Sequence, residues 1–545
     1  MQFFLLLNVM FSALLGTSGI RIPASKIKKE IFTVEERDQR KLNPQSTTKS
    51  PRAAENRTLP NLAQNIGLNF VAATVEDVQV HFRPQPNCNG WVGPEQYILI
   101  TNQCLRSFNN VTGEPDGILD IDSASFFGIP GFDVRIVYNR FVGRWFMSCE
   151  FNDYTNSGAY NLILAMSHDS VITKSTQWTI YTIPNATVNP TFPTGSLDYQ
   201  QLSSSENAVL ICVSTFQDLA EAIYAGSSAV VIQMDSLLAG GPLNVTVFPY
   251  LLPGVGDYPL VGQFEQFISP ADNFDLNPQF GYIINAANYV YDFPTNDNIY
   301  NTFYFYRIEN PGSTNPTLGP LIVLPAPNYA DPANAPHKGN LFPGVGNLDT
   351  SFGTFEAAHV RNHQLYVVKD TQMDQNGVGN PAGDRVGIQW FQYDLTGDTT
   401  GRGLGVETAT TVPVLIQSGT IFDNSPTNPK FYFLPSIMTN KNQDLVVIGT
   451  VSSVNDYVNV FYAGRKGTDP ANELSAPTLV TKNTSLPLNY APNVSTSPGP
   501  FVQRWGDLGS LSPEPINDLD LWLTNQAVEL ENAWGIRVAQ LIPAN

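Results

Sequence analysis

Charge is scarce in this chain, and what there is of it is lopsided. Charged residues make up 14% of the 545, with 29 Lys and Arg against 48 Asp and Glu. So few Lys, Glu and Arg exclude a long coiled coil. A net charge of −19 sets the chain against nucleic acid, because binding would bring like charges together. Cysteine is scarcer still. Cys88, Cys104, Cys149 and Cys212 are too few to hold a disulfide scaffold of this length, and no C-x-x-C occurs. The five histidines are scattered without metal-ligand spacing. Beyond Leu15 no stretch reaches the roughly 18 uninterrupted apolar residues of a membrane helix. There is no G-x-S-x-G elbow, no phosphate-binding Gly-rich loop and no H-E-x-x-H. The sequence therefore leads us to expect no cofactor, no metal and no membrane span.

What is present is aromatic and turn-rich. Aromatics are 11%, hydrophobic residues 42%, and Gly and Pro 41 each. That mix is too apolar for a disordered chain, and the short apolar runs between Gly, Pro, Asn, Asp, Ser and Thr read as all-β. The N-terminus differs. An apolar run from Phe3 to Leu15, broken by Asn8 and Ser12 and followed by small residues to Gly19, has the form of a secretory signal peptide over residues 1–19. It places the protein outside the cell or in a periplasm. Residues 20–60 carry ten Lys and Arg against five Asp and Glu, few aromatics, and read as a flexible, solvated basic leader. Removing Met1–Pro60 is accordingly expected to leave stability almost unchanged. Residues 61–545 form a single domain carrying about −24.

Within that domain one unit recurs: a short strand, a tight polar turn, then a strongly apolar strand. It reads VYNRFVGRWFMSCEF from Val137, QLSSSENAVLICVSTF from Gln201, and FISPADNFDLNPQFGYIINAANY from Phe267. It returns as AAHVRNHQLYVVKDT from Ala357, SIMTNKNQDLVVIGTVSS from Ser436 and SLSPEPINDLDLWLTNQ from Ser510, with a less complete copy from Trp91. The spacing is roughly 65 to 90 residues, longer than compact propeller repeats. After several copies a second strand pair follows, as in NLILAMSHDSVITKSTQWTIYTI. About four antiparallel strands per unit cannot bury both faces alone, so the sheets must stack radially. The expectation is an all-β propeller of seven four-stranded blades, with six blades as the alternative and two or three β-sandwiches as the rival architecture. Ring closure is expected from Val75–Phe82, or from the strand at Tyr97, pairing with the last blade. Cys88 and Cys104 flank one hairpin and are open to bridging. Cys149 and Cys212, inside buried-looking strands, are open to pairing or to remaining thiols.

The C-terminal quarter resembles a family of uncharacterised, mostly bacterial, secreted, sialidase-like β-propeller proteins. The resemblance rests on FYFLPSIMTNKNQDLVVIGTVSS, VFYAGRKGTDPANELSAP and QRWGDLGSLSPEPINDLDLWLTNQ, with VGPEQYILITNQCLRSFN and FDVRIVYNRFVGRWFMSCEF further upstream. It covers about Trp91 to Leu541 and implies a propeller of six or seven blades. It implies no established activity. The sialidase turn S-x-D-x-G-x-x-W has only a poor match at Ser167–Trp178, and Arg-Ile-Pro at Arg21–Pro23 lies in the leader.

Candidate site residues are those near strand starts, where side chains often line one propeller mouth. They are Asp133, Asp198, Asp384 and Asp507 among the acids, and Arg135, Arg385 and Arg504 among the bases. His359 sits with His363 at i, i+4, here flanking a turn rather than lying on a helix. Each has a plainer structural reading, as a turn cap or a local ion pair. The leading expectation is a monomeric, non-catalytic propeller binding an unknown protein or glycan at one face. A divergent glycan hydrolase or lyase using channel carboxylates is the alternative, and a structural or adhesive surface protein the third reading. A deep channel with two facing carboxylates and an aromatic platform would favour the enzyme; an apolar plug would end it.

Overall fold

In a computed structural model, the described residues are 19–37, 63–77, 86–152, 160–218, 224–251, 267–286, 299–341, 346–350, 353–481, 486–488, 502–507 and 509–544. They form seven antiparallel blades in chain order. Blade 1 comprises Asn89–Val92, Gln96–Ile100, Cys104–Asn109 and Pro115–Asp122. Blade 2 comprises Phe132–Asn139, Arg144–Asn152, Tyr160–Ser167 and Gln177–Pro184. Blade 3 comprises Leu197–Ser204, Ala208–Phe216, Tyr224–Gln233 and Val245–Phe248. Blade 4 is built on Phe280–Ala286, Tyr300–Glu309 and Ile322–Tyr329, with Ser269–Pro270 innermost. Blade 5 has Ala357–Arg361, Gln364–Met373, Arg385–Asp394 and Val414–Ile421, and blade 6 has Phe431–Thr439, Leu445–Ser452, Asn459–Arg465 and Thr478–Leu479. Blade 7 has Ser510–Pro513, Leu521–Leu530 and Ala533–Pro543.

Middle strands are sandwiched between two neighbouring blades, so both of their faces are buried and apolar residues stand on both. Ala208–Phe216, Gln364–Met373, Arg385–Asp394 and Leu445–Ser452 are buried at every residue. Trp145, Trp178, Trp390, Trp505, Trp522 and Trp534 lie fully buried between the sheets.

The ring closes one segment earlier than the sequence reading placed it. Gln64–Thr74 pairs antiparallel along the outer edge of Ala533–Pro543, giving blade 7 its fourth strand. Val75–Asp77 is a 3-10 turn, and residues 78–85 lie outside the described residues. The register slips at Ile66/Asn69 and at Val71/Ala73, so the closing strand carries no clean alternation.

The basic leader is not free where it is described. Ile20–Ile22 pairs with Val245–Val247 as a fifth strand of blade 3, and Lys28–Thr33 pairs with Gln177–Thr182 as a fifth strand of blade 2. Three apolar anchors, Ile22, Phe32 and Val34, are buried, and Phe32 packs edge-on to Phe126 at 5.3 Å. Backbone pairing and these anchors hold the strap. Two of its cations add bonds to the body, Arg21 to the Asn244 side chain at 2.9 Å and Lys29 to the Gly240 carbonyl, while Arg37 pairs with Glu30 inside the leader itself. Residues 1–18 and 38–62 lie outside the described residues, and with them most of the signal-peptide reading.

All four cysteines are buried free thiols. Cys88 and Cys104 sit at the ends of strands separated by Gln96–Ile100, two strand spacings apart, about 10 Å and beyond disulfide reach. Cys149 and Cys212 belong to separate core clusters, in blade 2 and between blades 3 and 4.

Candidate functional site

The inner strands start with a repeated irregularity. In blades 2, 3 and 6 the pairing slips between Phe132 and Arg135, between Asp198 and Gln201, and between Phe433 and Ser436. At the same place in each bulge a non-glycine residue takes positive φ: Asp133 at 49°, Tyr199 at 53° and Leu434 at 51°. The bulges turn the strand starts toward the axis and gather polar side chains at one mouth of the channel.

Five of the eight site residues singled out from the sequence meet there. Arg504 donates to both oxygens of Asp507, at 3.0 and 2.8 Å, and its Nε lies 3.4 Å from Asp349. Asp507, with Asp349, Asp133 and Asp198, holds the guanidinium well above its ordinary range. Asn87 donates to Asp133 at 2.6 Å and to Asp507 at 3.2 Å, tying blades 1, 2 and 7 together. Arg135 donates through Nε to the Gln200 carbonyl at 3.2 Å and lies 5.5 Å from the Tyr199 ring.

The other three do not join them. Asp384 and Arg385 begin the third strand of blade 5, away from the axis. Arg385 is buried against Asp384 at 2.8 Å and the Ser425 carbonyl at 3.0 Å. His359 is fully buried between blades 5 and 6. Its Nε2 meets the Thr439 hydroxyl at 2.8 Å, its ring stacks on Tyr366, and burial holds it neutral, far below its usual pKa. His363 is half-exposed and faces Asp275 and Glu407 instead.

Several site residues carried no flag in the sequence. Glu356, at the start of the blade 5 inner strand, accepts from Tyr199 of blade 3 and from Thr354 at 3.2 Å. Burial pushes its carboxyl up to about 8. Glu150 lies with Asp133 and Asp198, one oxygen of each within 4.8 Å of the others, a set able to hold a cation. The absence of metal-ligand spacing in the sequence did not foresee it, because the three carboxylates come from two blades. The available signal was Glu150 itself, a charge inside the apolar run FMSCEF.

Below the mouth the channel holds a cavity of about 60 Å³. Its wall carries Arg135, Gln201, Glu356 and Asp272 among apolar residues such as Trp91, Ile136 and Met438. Burial raises Asp272 to about 7. The far end is shut. Arg140 of blade 2 and Arg361 of blade 5 both bond Asp518 of blade 7, at 2.5 and 2.7 Å, and both guanidinium groups lie over the Phe274 ring, at 5.3 and 4.8 Å. Blades 2, 5 and 7 are not all neighbours, so their turns meet only across the axis. Removing Asp518 by Asp518→Ala leaves two partly buried cations facing each other. Thermal or denaturant unfolding is expected to show a loss of about 2 kcal/mol.

No protein-family model matches the chain, and no curated protein is similar to it. Among solved structures, a Trypanosoma rangeli sialidase in complex with the inhibitor DANA is similar at 11% identity and a TM-score of 0.32, over 74% of this chain and 54% of that one. This chain thus spans about half the length of that sialidase. A Penicillium chrysogenum alpha-L-arabinanase is similar at 11% identity and a TM-score of 0.29, over 64% of this chain and 93% of that one. A protein of unknown function from Dyadobacter fermentans is similar at 9% identity and a TM-score of 0.27, over 64% and 95%.

Proposed function

We propose that this protein acts outside the cell as a glycan-binding propeller, taking an uncharged sugar at the mouth where the inner strands begin. One observation carries the reading: Asp133, Glu150, Asp198, Asp349 and Asp507 converge there with Arg504 and Asn87 from separate blades. Fixed carboxylate and amide oxygens accept paired sugar hydroxyls, and a rigid ring of blades holds them in place. Carboxylates outnumber Arg135 and Arg504 at the mouth, so an anionic glycan would meet repulsion.

Glu356 favours a second reading, hydrolysis. Its carboxyl stays protonated near neutral pH beside the ionisable Asp507, as a general acid requires. One experiment separates the two. The full chain is screened on neutral and acidic glycan panels for binding, and on chromogenic glycosides for turnover. Binding without turnover is expected, confined to neutral glycans and reduced at least tenfold by Asp133→Asn or Asp198→Asn. Turnover abolished by Glu356→Gln would replace binding with hydrolysis. Exclusive capture of acidic glycans would overturn both.

A further inference from the structure

The channel wall presents hydrogen-bond donors with nothing to donate to. Arg135 and Gln201 occupy equivalent places in adjacent blades, each the residue at which pairing resumes after the bulge. Ser436 of blade 6 stands at the same level, and all three line the cavity. Arg135 is 5% exposed and Gln201 6%. Arg135 Nη2 and Gln201 Nε2 have no hydrogen-bond partner within the protein. Other polar residues on this wall are engaged: Asn89 accepts from the Ile136 amide, Ser510 bonds the Gly90 backbone, and Ser269 donates to the Phe355 carbonyl. A buried donor left unsatisfied costs about 1–3 kcal/mol, so two on one cavity wall mark the place where an acceptor belongs.

The acceptor's chemistry follows from its surroundings. A carboxylate would have to pass the mouth, where Asp133, Asp198, Asp349 and Asp507 surround Arg504. The acceptor is therefore a neutral oxygen. Around the two donors the wall mixes apolar residues, Trp91, Met438 and Leu511 among them, with the carboxyls of Glu356 and Asp272. A hydroxyl would bring a further polar hydrogen to a wall whose carboxyls already accept from Tyr199, Thr354 and the Ser204 amide. A carbonyl followed by a methyl group satisfies both the donors and the wall. The blocked far end means such a group enters only from the mouth.

We propose that the channel is an acetamido receptor: Arg135 Nη2 and Gln201 Nε2 hold the carbonyl oxygen of an N-acetylated sugar whose ring sits at the mouth. The receptor rests on the glycan-binding reading for the sugar ring, but not for the acetamido group itself.

The test uses the purified full chain and two sets of probes. Acetamide and N-methylacetamide report the receptor alone. N-acetylglucosamine and N-acetylgalactosamine, against glucose, galactose and glucosamine, report the receptor together with the mouth. Binding is read by calorimetry and by the shift of the unfolding midpoint. The free amides are expected to raise the midpoint, and the N-acetyl sugars to bind at least tenfold tighter than their unacetylated partners. Gln201→Leu should abolish that tenfold preference without lowering the unfolding midpoint, because it removes a donor that has no partner. Arg135→Met should do the same to the preference. Retention of the preference in both variants overturns the receptor. Equal binding of glucose and N-acetylglucosamine overturns it while leaving the mouth reading intact. Amide binding without any sugar binding keeps the receptor and refutes the mouth. Tighter binding of acetate than of acetamide overturns the neutral-acceptor argument.

Discussion

A chain beginning at Val75 is expected not to reach the folded ring, whereas one beginning at Asp38 folds with a lowered unfolding midpoint. The difference lies in what each cut removes. The segment Gln64–Thr74 is the outermost strand of blade 7 and pairs with almost the whole of Ala533–Pro543. It buries Phe70, Ala72 and Ala73 completely or nearly so, and Phe70 packs on Phe108 of blade 1 at 5.0 Å. Arg106 donates to the Ala72 carbonyl, and Asn69 to the Val480 carbonyl, so the strand also ties blade 7 to blades 1 and 6. Without it, Ala533–Pro543 becomes a long open edge with a single charge, Arg537, the kind that pairs with other chains. Burial of Phe70 alone is worth about 1.5–3 kcal/mol, and the strand's lost pairing and neighbours multiply that. Against a typical stability of about 5–15 kcal/mol, the ring does not survive the loss. The expected readout is aggregation, or loss of the cooperative transition seen by near-ultraviolet dichroism.

The cut at Asp38 removes only the strap over blades 2 and 3. Ile22, Phe32 and Val34 lose their burial, but the seven blades keep their pairing. The result is a measurable loss of midpoint with a cooperative transition retained. Equal midpoints for the full chain and the chain from Asp38 would show that the strap contributes nothing. A normal transition for the chain from Val75 would show that the ring closes some other way.

These two segments also show where the sequence runs out. The blades are legible because the middle strands are pressed between neighbours, and several are apolar along most of their length, as AVLICVSTF and LVVIGTVS are. Seven such repeats fix the architecture. The closing strand QNIGLNFVAAT is harder to read because its two register slips break the period of two and its Asn69 side chain bonds the Val480 carbonyl across the seam. The strap is harder still. In KKEIFT only Phe32 is buried, so charge hides a strand that is held by one anchor and its backbone.

The site divides in the same way. Asp133, Arg135, Asp198, Arg504 and Asp507, all near strand starts, converge at one mouth. Asp384 and Arg385 stand at a strand start too, but of a third strand, and nothing local in the sequence tells an inner strand from an outer one. His359 is on an inner strand, yet the pleat turns its side chain into the seam with blade 6 rather than toward the axis. Tyr199 and Glu356 come from blades 3 and 5, far apart in sequence, and only ring closure brings them together.

Glu356 gives the chain a stability that falls as pH rises. In the folded protein its carboxyl titrates near 8 because burial penalises the charge, and Tyr199, by donating to it, only partly offsets that penalty. In the unfolded chain it titrates near the ordinary glutamate value of 4.5. Between these values the folded state holds a proton that the unfolded state has released. Stability from this group is therefore complete below about 4.5 and is lost as pH rises through 8. At 1.36 kcal/mol per unit, the full loss is about 3–5 kcal/mol. Asp370, whose charge faces Glu356, is also raised by burial, as is Asp272 on the channel wall, and both slope the same way. Repulsion within a chain of net charge −19 adds to the trend, so the parent's pH profile alone would not isolate Glu356. Glu356→Gln does. It keeps the shape and the acceptor for Tyr199 but cannot ionise, so the general repulsion cancels between parent and variant. Urea unfolding at pH 5, 7 and 9 should show the variant gaining on the parent as pH rises, with the larger part of the gain between pH 5 and 7 and a plateau above about 8. Parallel curves across that range would mean that the carboxyl ionises freely in the folded ring. That would remove the protonated acid on which the hydrolytic reading of the mouth depends.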